Sequence, residues 1–135
     1  MPAEFLDSNV LLYAASGDAG KADRVQALLL TKPIVSVQVL NEAANVMLRK
    51  WKVDWGTIES FLDLVTPMLD VRPLTHTMHR SGVWLVQRYK LQWWDALILA
   101  AALEVEAERL FSEDMQHGMV IGGQLTITNP FKFDV

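Results

Sequence analysis

Asp7, Glu42, Asp95 and Asp114 are the residues through which this 135-residue chain can do chemistry, because each stands where an acid is more than surface decoration. Asp7 falls between a short apolar run (Ala3, Phe5, Leu6) that reads as a strand and an apolar set (Val10, Leu11, Leu12, Ala14) that reads as a helix. Glu42 lies early in the amphipathic stretch 38–51, Asp95 opens the apolar run 96–103, and Asp114 follows the strand-like segment 109–112. Each has an ordinary alternative. Asp7 and Asp95 suit helix caps, Glu42 suits a solvated stripe paired with Arg49, and Asp114 suits a turn. Jointly they point elsewhere, since three lie at strand ends or helix starts on one edge of a parallel sheet and Glu42 sits one turn into a helix leaving that edge. Converging carboxylates raise one another's pKa unless a cation neutralises them. The quartet therefore predicts Mg²⁺ or Mn²⁺, because oxygen donors without cysteine or a well-placed histidine suit hard cations better than zinc.

The elements that must position these acids alternate along the chain. After the first strand and helix, residues 16–20 form a Gly- and Asp-marked loop, and a helix from about Lys21 buries Ala22, Val25, Leu28 and Leu29. Residues 33–37 read as a buried strand. The helix 38–51 follows, with Leu40, Ala43, Ala44, Met47 and Trp51 at core spacing and Gln38, Glu42, Asn45 and Arg49 on the opposite stripe. Asp54 caps the next helix, which turns Ile58, Phe61, Leu62 and Val65 inward. Residues 70–74 form a strand and 75–90 a helix in which Gly82 allows close packing. Residues 96–103 have no polar face, so that helix is buried on most sides. Strands at 109–112 and 125–128 complete one α/β domain over 1–135: a mostly parallel sheet of about five strands covered by helices on both faces.

Composition narrows the class. Hydrophobic residues make up 51% and mean hydropathy is +0.18, yet no run approaches the roughly 18 apolar residues of a membrane span. The N-terminus shows no secretory signal and cysteine is absent, which leads us to expect a cytoplasmic protein. The formal charge of −4 argues at first against a nucleic-acid partner. Four clustered carboxylates account for all of it, however, and bound cations would neutralise them, so the charge suits a metal-dependent enzyme acting on an anionic substrate.

The motifs resemble those of the PIN-domain ribonucleases, and within them the VapC-type toxins of bacterial toxin–antitoxin pairs. FLDSNVLLYA is similar to the family's opening motif, VLNEAANVMLRK to the segment bearing the second acid, WWDALILAAA to the third and LFSEDMQHG to the fourth. The resemblance covers nearly the whole chain. It implies a PIN-like fold and a metal-dependent endoribonuclease in which Asp7, Glu42, Asp95 and Asp114 hold one or two divalent ions. By that chemistry, a metal-activated water attacks an RNA phosphodiester in line and no side-chain nucleophile is needed. Ser8 and Ser112 are candidates for orienting carboxylates, and Asn9 for fixing the Asp7 loop. Some relatives carry another acid where His117 stands, so this chain departs from their pattern there. The resemblance also implies an antitoxin partner that occupies a hydrophobic groove and reaches the acidic site. The apolar helices between Lys21 and Pro67 permit such a groove, and equally a homodimer.

Other features weigh less. Arg49, Lys50 and Lys52, and separately Arg88 and Lys90, form basic clusters that suit RNA phosphates or plain solvated surface. His76 and His79 lack a nearby third metal ligand. The five tryptophans are expected mostly in the core or an interface, with base stacking the minor alternative. A PIN-like module that binds without cutting is the main competing reading, and its mark would be a missing acid; none is missing. A receiver domain wants a paired acid early and a late lysine, and Asn129 stands where that lysine would precede Pro130. A phosphatase with an Asp nucleophile wants Asp-x-Asp, where this chain has Asp7 and Asn9.

Overall fold

Phe5 sits at the middle of the sheet, opposite Ile34 on one side and Leu110 on the other. The computed structural model describes residues 3–132. Its elements are β1 (Glu4–Leu6), α1 (Ser8–Leu12), α2 (Ala19–Leu29), β2 (Ile34–Ser36), α3 (Val37–Arg49), α4 (Trp55–Val65), β3 (Asp70–Arg72), α5 (His76–Tyr89), α6 (Trp93–Glu104), β4 (Arg109–Phe111), β5 (Val120–Ile121) and β6 (Leu125–Thr128). The sheet order is β3-β2-β1-β4-β6-β5, with every pairing parallel except β5 with β6. Helices flank the sheet, so the central strands are short apolar runs buried on both faces, as in β2, where all three residues are buried.

The topology explains where a site can form. The chain lays β2 and β3 to one side of β1 and then returns to place β4 on the other. The strand order therefore reverses between β1 and β4, and the carboxyl ends of those two strands border a crevice. Asp7 follows β1 and Ser112 to Asp114 follow β4, so the reversal sets them side by side.

Local chemistry sets the helix boundaries. Asp7, Asp18, Asp54 and Thr75 each cap a helix by accepting a backbone N–H, which starts α2 two residues before the expected Lys21. The expected helix at 38–51 ends at Arg49 instead, and Trp51 is 38% exposed rather than in the core. α6 is buried as its composition requires, with Ala96 and Ile98 through Ala102 inaccessible. It lies so close to α5 that a methyl group on Gly82 would meet Leu97 Cδ2 at 2.9 Å.

Two expectations need correction. The described residues form six strands where about five were expected: β5 is a two-residue strand joined to β6 through Gly122 and Gly123, whose φ values of 61° and 66° suit a tight hairpin. The tryptophans are mostly at the surface, with Trp55 61%, Trp84 55% and Trp94 62% exposed.

Candidate active site

The strand side of the crevice is a closed hydrogen-bond lattice. Asp7 is 4% exposed, and its backbone N–H donates to Phe111 O at 2.9 Å, locking it to the end of β4. Asp7 Oδ1 accepts from Ser8 N at 2.7 Å. Asp7 Oδ2 accepts from Ser112 Oγ at 2.8 Å and Asn9 Nδ2 at 3.2 Å. The same Asn9 amide donates to Asp114 Oδ2 at 3.1 Å, and Asn9 Oδ1 accepts from Glu113 N at 3.1 Å. Asn9 is thus the link that holds Asp7 and Asp114 together. Ser112 is fully buried and also accepts from Met115 N, which fixes the turn carrying Asp114.

The helix side is looser. Glu42 Oε1 accepts from Ser8 Oγ at 3.0 Å and Glu42 Oε2 from Gln38 Nε2 at 2.8 Å. Asp95 lies in the first turn of α6, where the helix dipole favours an anion, but Gln92 and not Asp95 holds the cap position. The cap alternative therefore fails for Asp95, while Asp7 both caps and faces the crevice. Glu42 does not pair with Arg49: among the described residues the ion pairs are Lys21–Glu113, Arg72–Asp70 and Arg109–Glu4.

The acids sense one another. Burial pushes the Asp7 carboxyl up from 3.8 to about 6, against the opposing hydrogen bonds from Ser112 and Ser8, and the charges of Glu42 and Asp95 add to the rise. Burial likewise raises Asp95, followed by repulsion from Glu42 and Asp114. All four sequence-predicted acids therefore meet at one site. Among the described residues, however, no three Asp, Glu or His side chains stand close enough to hold one ion as they are.

Other predicted residues divide. Lys90 lines a 310 Å³ cavity with Asp95 and Asp114. Arg49, Lys50 and Lys52 are exposed at the far end of α3, about 10 Å or more along the helix from Glu42. Arg88 is exposed and lies 5.0 Å from the Tyr89 ring centre, outside the cluster. His117 Nδ1 accepts from Asn129 N at 2.9 Å and serves the backbone. His76 and His79 stack with ring centres 6.0 Å apart on exposed α5.

The structure adds residues not expected at the site. Gln38 is not on a solvated stripe: it is 4% exposed and bonds both Glu42 and Trp94 O, at 2.8 and 3.1 Å. Its spacing of four from Glu42 on one helix was the available signal. Lys21 bridges to Glu113, which Tyr13 also contacts, so the residue before Asp114 is tied to α2.

A parallel α/β domain with acids gathered at its strand-order reversal defines the class. The PIN domain family model matches residues 5–118, and the chain belongs to that family. No curated protein matches it by sequence. Among solved structures it is similar to a chain of a Klebsiella pneumoniae toxin–antitoxin complex, with 21% identity, TM-score 0.72, and coverage of 96% of this chain and 99% of that one. It is similar also to VapBC2 of Rickettsia felis, bound to a DNA fragment from its promoter, at 17% identity and TM-score 0.70 over 93% and 98% of the two chains. A third is VapC20 of Mycobacterium tuberculosis, a sarcin–ricin loop cleaving toxin, at 15% identity and TM-score 0.66 over 83% and 90%.

Proposed function

We propose that this protein is a metal-dependent endoribonuclease and the toxin of a toxin–antitoxin pair. The observation that carries the reading is the gathering of four acids at the crevice of a PIN domain, where Asn9 bonds both Asp7 and Asp114, Ser8 joins the Asp7 loop to Glu42, and Asp95 and Asp114 line one cavity. An Asp7 carboxyl held at about 6 marks a site that disfavours its own charge, and a divalent cation would relieve it. The donor set fits Mg²⁺ or Mn²⁺, being all oxygen, with the four acids as the holding residues. When bound, such an ion supplies an activated water and neutralises charge on the attacking and leaving oxygens of a phosphodiester. The chain's own residues do the positioning. Ser112 and Asn9 orient Asp7, Asn9 couples it to Asp114, Ser8 and Gln38 orient Glu42, and Lys90 offers a cation beside Asp95 for an RNA phosphate.

The test is digestion of a mixed cellular RNA pool by the purified protein with Mg²⁺ or Mn²⁺, beside EDTA and beside Asp95→Asn. Discrete fragments that vanish with EDTA and with the variant are expected. A second readout is independent of turnover: Mn²⁺ should raise the melting temperature of the wild type. The absence of a ready-made three-ligand group among the described residues favours one other reading, a PIN module that binds RNA without cutting. Undigested RNA together with a melting temperature indifferent to Mn²⁺ would establish that alternative.

For the antitoxin, a 610 Å³ apolar groove lies between α2 and α4. Leu30 and Leu64 line it and are 81% and 71% exposed, which is unusual for a surface with no occupant. Solved neighbours are toxin–antitoxin complexes, and a small protein encoded beside this one should bind there. Co-expression should yield a complex and relieve growth arrest, and Leu64→Asp should abolish both. A homodimer belongs to the same reading, with Val83 and Trp84 of α5 as exposed apolar surface outside the groove; sedimentation at micromolar concentration checks it. No described helix is long and apolar enough to cross a membrane.

A further inference from the structure

A second cleft, of 540 Å³, opens beside the acids between α3 and the start of α6. Its composition is unlike that of the apolar groove. One wall is the face of α3 on which Gln38, Asn41, Glu42 and Asn45 recur at helical spacing. Trp94 stands opposite, 62% exposed, while Leu74 is 46% exposed at the margin. Three neutral amides and one indole therefore surround a space whose only charge is the Glu42 carboxylate shared with the acidic site.

Gln38 supplies a separate sign that the cleft awaits a ligand. Its side chain is 4% exposed, and its Nε2 is committed to two acceptors, Glu42 Oε2 and Trp94 O. That fixes which end of the amide is which. Its Oε1 is buried without a hydrogen-bond partner, a state that costs stability and is relieved only if the amide shifts to meet a donor.

We infer that this cleft holds one unpaired nucleobase of the RNA, stacked against Trp94 and read along its edge by the exposed amides of Asn41 and Asn45, with Gln38 holding Glu42 and the Trp94 backbone in place. The inference rests on the reading of RNA as substrate and names how that substrate is recognised. No lining cation is present to hold a phosphate or a carboxylate within the cleft. An aliphatic side chain would leave the amides unpaired. A base has a flat π-face for the indole and alternating donors and acceptors for the amides. Placing a splayed base next to Glu42 also sets the adjoining phosphodiester at the acid cluster, so the cleft acts as a specificity pocket for cleavage.

The experiment uses the full chain with Ca²⁺ replacing Mg²⁺, and ten-residue oligomers of rA, rC and rU as probes. Binding is followed by anisotropy and by quenching of tryptophan fluorescence. The wild type should be quenched and should rank the three oligomers. Trp94→Ala should bind about tenfold more weakly and lose the quench, whereas Trp94→Phe should stay within about threefold of wild type, because stacking needs any aromatic face. Asn41→Ala should change the ranking of the oligomers. Trp94 is exposed, so its removal leaves the core intact, and circular dichroism melts check this. Equal binding and quenching by Trp94→Ala overturns the inference. A change in oligomeric state with Trp94→Ala also overturns it, by assigning the patch to a second copy of the chain. The two readings fail separately: Trp94-dependent binding without cleavage in Mn²⁺ sinks the nuclease and keeps the pocket, while cleavage by Trp94→Ala with unchanged kcat/KM and site choice sinks the pocket alone.

Discussion

The two sides of the acidic site are built by opposite means. On the strand side, both oxygens of Asp7 are occupied by Ser8, Ser112 and Asn9, and the backbone of Asp7 is bonded to β4. On the helix side, no hydrogen bond contributes to the state of Asp95, and Gln38 keeps a buried acceptor unpaired. Helix starts follow the same division. α1, α2, α4 and α5 each have a side-chain cap, while α3 and α6, which carry Glu42 and Asp95, begin without one. N–H groups without a side-chain cap are left to water or to a bound group, and a buried acceptor without a partner costs stability. The comparison teaches that folding closes the strand side around Asp7, while on the helix side only Glu42 is held by hydrogen bonds and Asp95 is left open.

The largest expected effect tests the helix side. Asp95→Asn should lower RNA cleavage by about a thousandfold, the several kcal/mol expected when a metal-holding charge is lost. Its metal-free thermal stability should hold or rise, because Asp95 is neither cap nor hydrogen-bond partner and its charge is disfavoured by burial and by Glu42 and Asp114. A variant that loses activity only through unfolding would erase the distinction between the two sides. Cleavage assays run beside thermal melts decide it.

Asp7→Asn sharpens the comparison from the other side. In the fold Asp7 keeps its proton up to about 6, against 3.8 ordinarily, so between those pH values the native state binds more protons than the unfolded chain. Metal-free stability should therefore fall as pH rises through that window, by roughly 3 kcal/mol from this group, and stay flat in this respect above it. Asp7→Asn should remove that slope and stabilise the metal-free protein at neutral pH, less the cost of an amide facing Ser112 and Asn9 as donors. Urea melts at pH 4.5 and 7.5 in EDTA compare the two proteins. Asp70 and Glu113, held low by Arg72 and Lys21, act in the opposite direction in both proteins and cancel in the difference.

A smaller effect is expected at Asn9, which touches Asp7 and Asp114 together. Asn9→Ala should weaken Mn²⁺ affinity and cleavage by about 10- to 100-fold, as for residues that orient metal-holding side chains. Mn²⁺-dependent melting shifts separate lost metal binding from lost folding. An unchanged Mn²⁺ response would mean that the lattice does not organise the acids.

The strand side was legible in the sequence because strand ends are punctuated: an apolar run, then Asp7 or Ser112, then a turn or helix. The order of strands and helices followed from the same alternation. The helix side was legible only in part. Period-3.6 patterning separates apolar from polar residues, and it cannot tell a polar residue facing water from one facing a carboxylate cluster, so it put Gln38 on one stripe with Glu42 without showing that Gln38 is buried against it. The same limit left core and interface undivided for the tryptophans, and four of the five prove more than a third exposed. β5 was missed for another reason: two residues show no alternation, and only the Gly122–Gly123 pair, a recognised hairpin signal, marked it.

Gly82 connects packing to the proposed pocket and carries the smallest predicted change. An alanine there gains about 1 kcal/mol of helix propensity in α5. Its methyl group would meet Leu97 Cδ2 at 2.9 Å, and crowding of this kind costs roughly 1–3 kcal/mol unless the neighbour yields. The neighbour here is the end of a leucine side chain, which can rotate, so the terms should nearly cancel and the net change should stay within about 1 kcal/mol. The yielding is informative, because Leu97 also lines the cleft beside Trp94 and Glu42. Gly82→Ala should therefore leave the melting temperature nearly unchanged while weakening binding of the oligoribonucleotides, and it should leave the Mn²⁺ response, which belongs to the acids, intact. A large loss of stability would mean that α5 and α6 are too tightly packed for Leu97 to move, and that the helix side of the site is as rigid as the strand side.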